Sequence, residues 1–183
     1  MNTIKLLAIF FIATLTFSAC SDDDHEDDDH DHEEELITTV TYTLTKGNDA
    51  VTLVSTDLDG LGGNDATFNI SGPLTANTTY TGVIKLENAT EDPAENITEE
   101  VEEEGDEHEF FYSSTVSGIT INKTDTDTEG NPIGIETTLT TGAAGTGTLT
   151  IILKHEPTKP NDNTSTNAGG STDVEVTFSV TVE

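Results

Sequence analysis

Residues 173–183, DVEVTFSVTVE, close the 183-residue sequence and decide how the rest is read. Val174, Val176, Phe178, Val180 and Val182 alternate with Glu175, Thr177, Ser179 and Thr181. A period of two puts the apolar set on one face of an extended chain and the polar set on the other, the pattern of a half-buried β-strand. The same alternation recurs upstream. Val40, Tyr42 and Leu44 oppose Thr39, Thr41, Thr43 and Thr45. Tyr80, Ile84 and Leu86 share a face, as do Ile133, Ile135 and Leu139, and as do Leu149, Ile151 and Leu153. Nine strands are predicted, over residues 36–45, 50–56, 66–71, 78–88, 108–116, 118–123, 133–140, 147–155 and 173–182. KGND, SGPL and TGAAGTG supply turns between them. The glycines of TGAAGTG are hairpin punctuation, with nothing of a phosphate loop about them.

One segment breaks the β pattern. DPAENITEEVEEEG, residues 92–105, reads as a helix: Asp92 can cap it, Pro93 suits the first helical position and Glu95 completes a capping-box spacing. Ala94, Ile97 and Val101 fall on one face, and Gly105 can end the helix. Glu102, Glu103 and Glu104 then sit at the negative end of the helix dipole, which calls for a nearby cation. Leu74, Ala76, Thr78 and Tyr80 resemble the L-x-P-x-T-x-Y tyrosine corner of fibronectin type III domains, with Ala76 in the place of the proline. The expected fold is all-β, an antiparallel immunoglobulin/fibronectin-like β-sandwich of about nine strands with one short acidic helix. The alternative is a lipocalin-like barrel.

Ahead of this domain, residues 36–183, the chain changes character. Lys5 precedes an apolar run, LLAIFFIATLTF at 6–17. That run is too short to span a bilayer, which takes roughly 17–25 residues, and has the length of a signal-peptide core. FSAC at 17–20 resembles the lipobox of bacterial lipoproteins, in which the cysteine is lipidated and becomes the mature N-terminus. Residues 1–19 are thus expected to be a leader and Cys20, the one cysteine, the lipidation site. A lone cysteine also excludes an internal disulfide. Ser21 to Glu35 holds eleven acids, His25, His30 and His32, and no apolar residue, so residues 20–35 read as a disordered tether. Fifteen residues reach at most about 50 Å. Acidic residues directly after the cysteine resemble the surface-export signal of Bacteroidota lipoproteins. Imidazole and carboxylate together also make the tether a possible trap for divalent metal.

Loss of the leader removes one lysine and no acid, leaving five lysines, no arginine and 36 acids, a formal charge of −31. Such a surface disfavours nucleic acid and anionic lipid and favours cations. If the strands alternate in direction, the loops at 57–65, 92–105, 124–131 and 156–170, with the tether, gather at one pole with most of the acids and all five histidines. His108 begins its predicted strand and His155 ends its own, both with the parity of apolar neighbours, and Glu109 and Glu156 follow them. These four are candidate ligands for zinc or copper, and the tether histidines for a divalent cation such as zinc. Asp125, Asp127, Glu129, Gly130 and Glu136 fall on positions 1, 3, 5, 6 and 12 of an EF-hand loop and are candidates for calcium, although the flanks read as strands. Asp57 and Asp59 before Gly60 form a shorter fragment of the same kind. Enzyme chemistry is not expected: there is no G-x-S-x-G, no H-E-x-x-H and no arginine for phosphate.

The FSACSDDD junction, PAENITEEVEEEGDEHEFF, EGNPIGIETTLTTGAAGTGTL and HEP…NAGGSTDVEVTFSV together resemble short Bacteroidota lipoproteins that often carry the label "type 1 periplasmic binding fold superfamily protein". The resemblance implies solute binding at the outer membrane, beside a TonB-dependent receptor. The expectation is therefore a lipid-anchored, non-enzymatic binding module for a divalent metal or small solute. It would sit on the outer membrane at the cell surface, or alternatively on the periplasmic face. The other class of function is a structural or interaction lipoprotein with no small ligand.

Overall fold

The computed structural model describes residues 36–59 and 63–183. The leader, Cys20 and the tether with His25, His30 and His32 lie outside the described residues. The elements are β1 (Thr39–Lys46), β2 (Asp49–Thr56), β3 (Thr67–Ile70), β4 (Thr79–Asn88), β5 (Glu95–Asn96), α1 (Ile97–Glu103), β6 (His108–Ser114), β7 (Thr120–Lys123), β8 (Glu136–Thr140), β9 (Gly145–His155), α2 (Ser165–Ala168) and β10 (Ser171–Val182). Each of the nine expected strands is present, and two-residue β5 is the addition.

All the strand pairs are antiparallel, in two sheets. One runs β3-β2-β1-β4-β8-β7, with β5 beside the end of β4; the other runs β10-β9-β6. Tyr42, Ile84 and Leu139 of the first sheet share one core with Phe110, Ile151 and Phe178 of the second. Apolar faces from two sheets closed on each other make a sandwich, and the separate sheet edges exclude a barrel. In β10 the alternation is realised as read, with Val176, Phe178, Val180 and Val182 buried between exposed neighbours.

One local device ties the layers and a second braces the first sheet. The Thr75 backbone N–H donates to the Tyr80 hydroxyl at 2.7 Å, which is the tyrosine corner. Leu74 just before it joins the end of β10: its N–H donates to Thr181 O at 2.8 Å and its carbonyl accepts from Glu183 N at 2.8 Å. The second device needs a glycine. The Tyr42 hydroxyl reaches Thr137 Oγ1 at 2.7 Å across β4, and a Cβ at Gly82 would collide with both side chains. Burial raises the Tyr42 pKa to about 12, against the lowering effect of its bond to Thr137.

The helix is shorter than expected. It begins at Ile97, with Asn96 in the cap position but no side-chain capping bond, because Glu95 and Asn96 pair with Asn88 and Glu87 at the end of β4. Backbone groups held in a ladder cannot join a helix, so the Asp92–Pro93 start signal goes unused. Ile97 and Val101, four residues apart, supply the buried face, whereas Ala94 is exposed. The cation called for at its end is Lys159, whose ammonium donates to Gly105 O at 2.5 Å, His108 O at 2.7 Å and Asp127 Oδ2 at 3.3 Å. That one side chain gathers the end of α1, the start of β6, the 124–131 loop and the 156–170 loop.

Candidate metal centre

The centre is built where β6 starts and β9 ends. The β6–β9 register pairs His108 with His155, so the two rings stack, 4.9 Å apart and 12° from parallel. One step beyond the ladder, Glu156 N donates to Glu107 O at 2.6 Å, which places Glu107 opposite Glu156. Glu107 Oε2 lies 3.5 Å from His155 Nε2. One ligand atom from each of Glu107, His155 and Glu156 falls within 4.8 Å of the others, the one such group among the described residues. The backbone at Glu156 is left-handed, φ +50, a conformation that costs a side-chain-bearing residue about 1–2 kcal/mol. Gly170 packs against it so closely that a Cβ there would meet the His155 and Glu156 backbone.

His108 has a different role from the one its parity suggested. It is buried, and its Nδ1 lies 3.2 Å from the Glu104 carbonyl, which can only accept, so Nδ1 carries the proton. The ring thereby caps the last turn of α1. Its Nε2 faces Asp173 Oδ2 at 3.9 Å. Burial holds its pKa below the ordinary histidine value, reinforced by His155 and opposed by the Glu104 carbonyl and the Glu104 and Glu107 carboxylates. A neutral His108 behind His155 is a packing and orienting partner, not a member of the three-donor group.

Glu109 is not a ligand either. It is buried, with Oε1 2.5 Å from Lys123 Nζ and Oε2 accepting from Asn161 at 2.6 Å. Strand alternation turns it away from His108, and both its oxygens have partners. The Lys123 ammonium also lies 4.4 Å above the Phe111 ring.

The calcium-like residues are not gathered into a chelate. Asp125 accepts from Gly134 N and Ile135 N, both at 2.8 Å. Asp127 accepts from Glu129 N at 3.0 Å, Asn131 N at 2.8 Å and Lys159. Burial alone would raise the Asp127 pKa, but Asn131 and Lys159 outweigh it and hold the carboxyl below the usual range. These carboxylates fold the turn. Asp125, Asp127 and Glu136 do line a cleft of about 620 Å³ with Glu99, Glu102 and Asp106 of the α1 region, but no three of their ligand atoms converge. Asp59 likewise accepts from Asn64 N at 2.9 Å and Asn64 Nδ2 at 2.6 Å.

Of the expected set, then, the structure brings His155 and Glu156 together, stacks His108 behind them and sends Glu109 elsewhere. Glu107 is the donor that parity missed; the β6–β9 register would have found it. No helix among the described residues is long and apolar enough to cross a membrane. Compared with protein families, curated proteins and solved structures, the chain matches none.

Proposed function

We propose that this protein is a lipid-anchored module of the cell envelope that captures a divalent cation, zinc first, at Glu107, His155 and Glu156. The observation that carries the reading is the convergence of those three donors. Ligands about 2.0–2.2 Å from a tetrahedral zinc lie about 3.4 Å from one another. Glu107 and His155 already stand 3.5 Å apart, and an oxygen of the exposed Glu156 lies within 4.8 Å of both. Two carboxylates and one imidazole suit zinc and neighbouring divalent metals better than the all-oxygen set that calcium takes. Three protein donors leave the fourth position to water or to a solute, as befits capture and release. The surrounding acids raise the local cation concentration. Lipidation at Cys20 would hold the module on the outer membrane, where a TonB-dependent receptor is the partner to which cargo would pass.

The test is calorimetric zinc titration of the chain from residue 20, with Cys20→Ser, and of the chain from residue 36. One equivalent bound by both, and lost in His155→Ala, supports the reading. Binding that disappears with residues 20–35 assigns the metal to His25, His30 and His32. Binding by neither chain leaves the structural or interaction class.

A further inference from the structure

The sandwich has an open seam on the side of β10, and we infer that it is a second site, for a small organic cation with an apolar body. A cleft of about 590 Å³ opens there, within the usual 300–1,000 Å³ range of small-ligand pockets. Its walls are apolar and come from both sheets: Val40 and Phe68 from one, Val174 and Val176 from the other. Phe68 is 52% exposed although its ring meets that of buried Phe178 edge-on at 5.8 Å. An aromatic face held in place by the core and left open to solvent is a ready wall for an apolar ligand.

The lining is acidic as well, with Asp57 from one side and Asp173 and Glu175 from the other. Asp57 follows β2, its N–H donating to Thr38 O at 2.8 Å, and its Oδ1 is buried without a hydrogen-bond partner among the described residues. Asp57 is half-buried and its carboxylate stands beside that of Asp59, a pair of like charges that a cation would relieve. Asp173 enters from the opposite wall because β10 carries a bulge between Thr172 and Val174. As the bulge residue Asp173 lines the seam while its Oδ2 also faces His108 Nε2 at 3.9 Å. No lysine among the described residues lines the cleft. Apolar walls beside these carboxylates are complementary to an alkylammonium group, whose charge would meet Asp57 and whose chain would lie on Phe68 and Val176. The site uses none of the three metal donors.

The probe is n-hexylammonium, with hexan-1-ol as its neutral counterpart. Each is titrated into 15N-labelled chain from residue 20 (Cys20→Ser) at about 0.15 M salt, where exposed charges are screened beyond about 8 Å. The expected result is saturable binding of hexylammonium, with amide shifts concentrated at Phe68, Val174 and Val176. Hexan-1-ol should bind at least tenfold more weakly. Asp57→Asn, which keeps the shape, should weaken the amine at least tenfold and leave the alcohol unchanged, and Phe68→Ala should weaken both. Equal affinity for amine and alcohol overturns the inference, as does an unaffected Asp57→Asn. So do shifts centred on Glu99 and Glu102, which would be counter-ion attraction to the acidic surface.

Discussion

Two acidic turns at the same pole put their carboxylates to opposite uses. In the 124–136 segment, Asp125 holds two backbone amides and Asp127 holds two more plus Lys159. At the 107/155/156 corner, no backbone amide among the described residues donates to the Glu107 or Glu156 side chain, and Glu107 faces the His155 imidazole. The first pattern looked like a cation loop by spacing, yet its oxygens are largely used by the fold. The second had no motif at all, and its oxygens remain available. What makes a metal site is where carboxylate lone pairs point after folding, which a count of acids does not reveal.

The contrast yields graded expectations. The largest effect lies among the carboxylates used by the fold. Lys123→Met leaves Glu109 buried without its cation and should lower unfolding free energy by about 3–5 kcal/mol in urea titrations. Zinc comes next: at a hundred times its Kd it should stabilise the wild-type chain by about 2.7 kcal/mol, read as a rise in Tm, and His155→Ala should abolish the gain. Asp125→Ala should cost about 2 kcal/mol by stranding the Gly134 and Ile135 amides, while the zinc-dependent gain persists.

Smaller effects separate the neighbours of the corner. Burial lowers the His108 pKa below its ordinary 6.5, so on acidification the unfolded chain takes up this proton first. Stability should therefore fall as pH drops below about 6.5, by at most about 1.4 kcal/mol per pH unit from this group. Urea midpoints at pH 7.5 and pH 5.5 should differ less in His108→Gln than in wild type. Glu104, Glu107, His155 and Asp173 face the ring, so the comparison of variant with wild type isolates its share. Smallest of all, Glu156→Gly should raise stability by about 1 kcal/mol by relieving the left-handed backbone, and weaken zinc binding at the same time.

Much of the fold was legible because strands announce themselves by period two. Val174 to Val182 named their own face, and Leu74 with Tyr80 named the corner. The start of α1 was not legible, because Asp92 and Pro93 satisfy every local helix rule while Glu95 and Asn96 are claimed by a ladder to β4. Glu107 was missed for a related reason: parity says which face a residue takes, and register alone says which residue stands across from it. Asp173 was hidden by its bulge, since strict alternation places it outside the apolar set. Lys159, a lone cation in a polar loop, gave no local sign that it would join four segments.

The most direct measurement is a pair of calorimetric zinc titrations, of Glu107→Gln and of Asp125→Asn, each beside the wild-type chain from residue 36. Glu107→Gln should lose at least a hundredfold in affinity, whereas Asp125→Asn should bind one equivalent as wild type does. Equal loss in both, or loss only in Asp125→Asn, would contradict this and move the metal to the 124–136 turn.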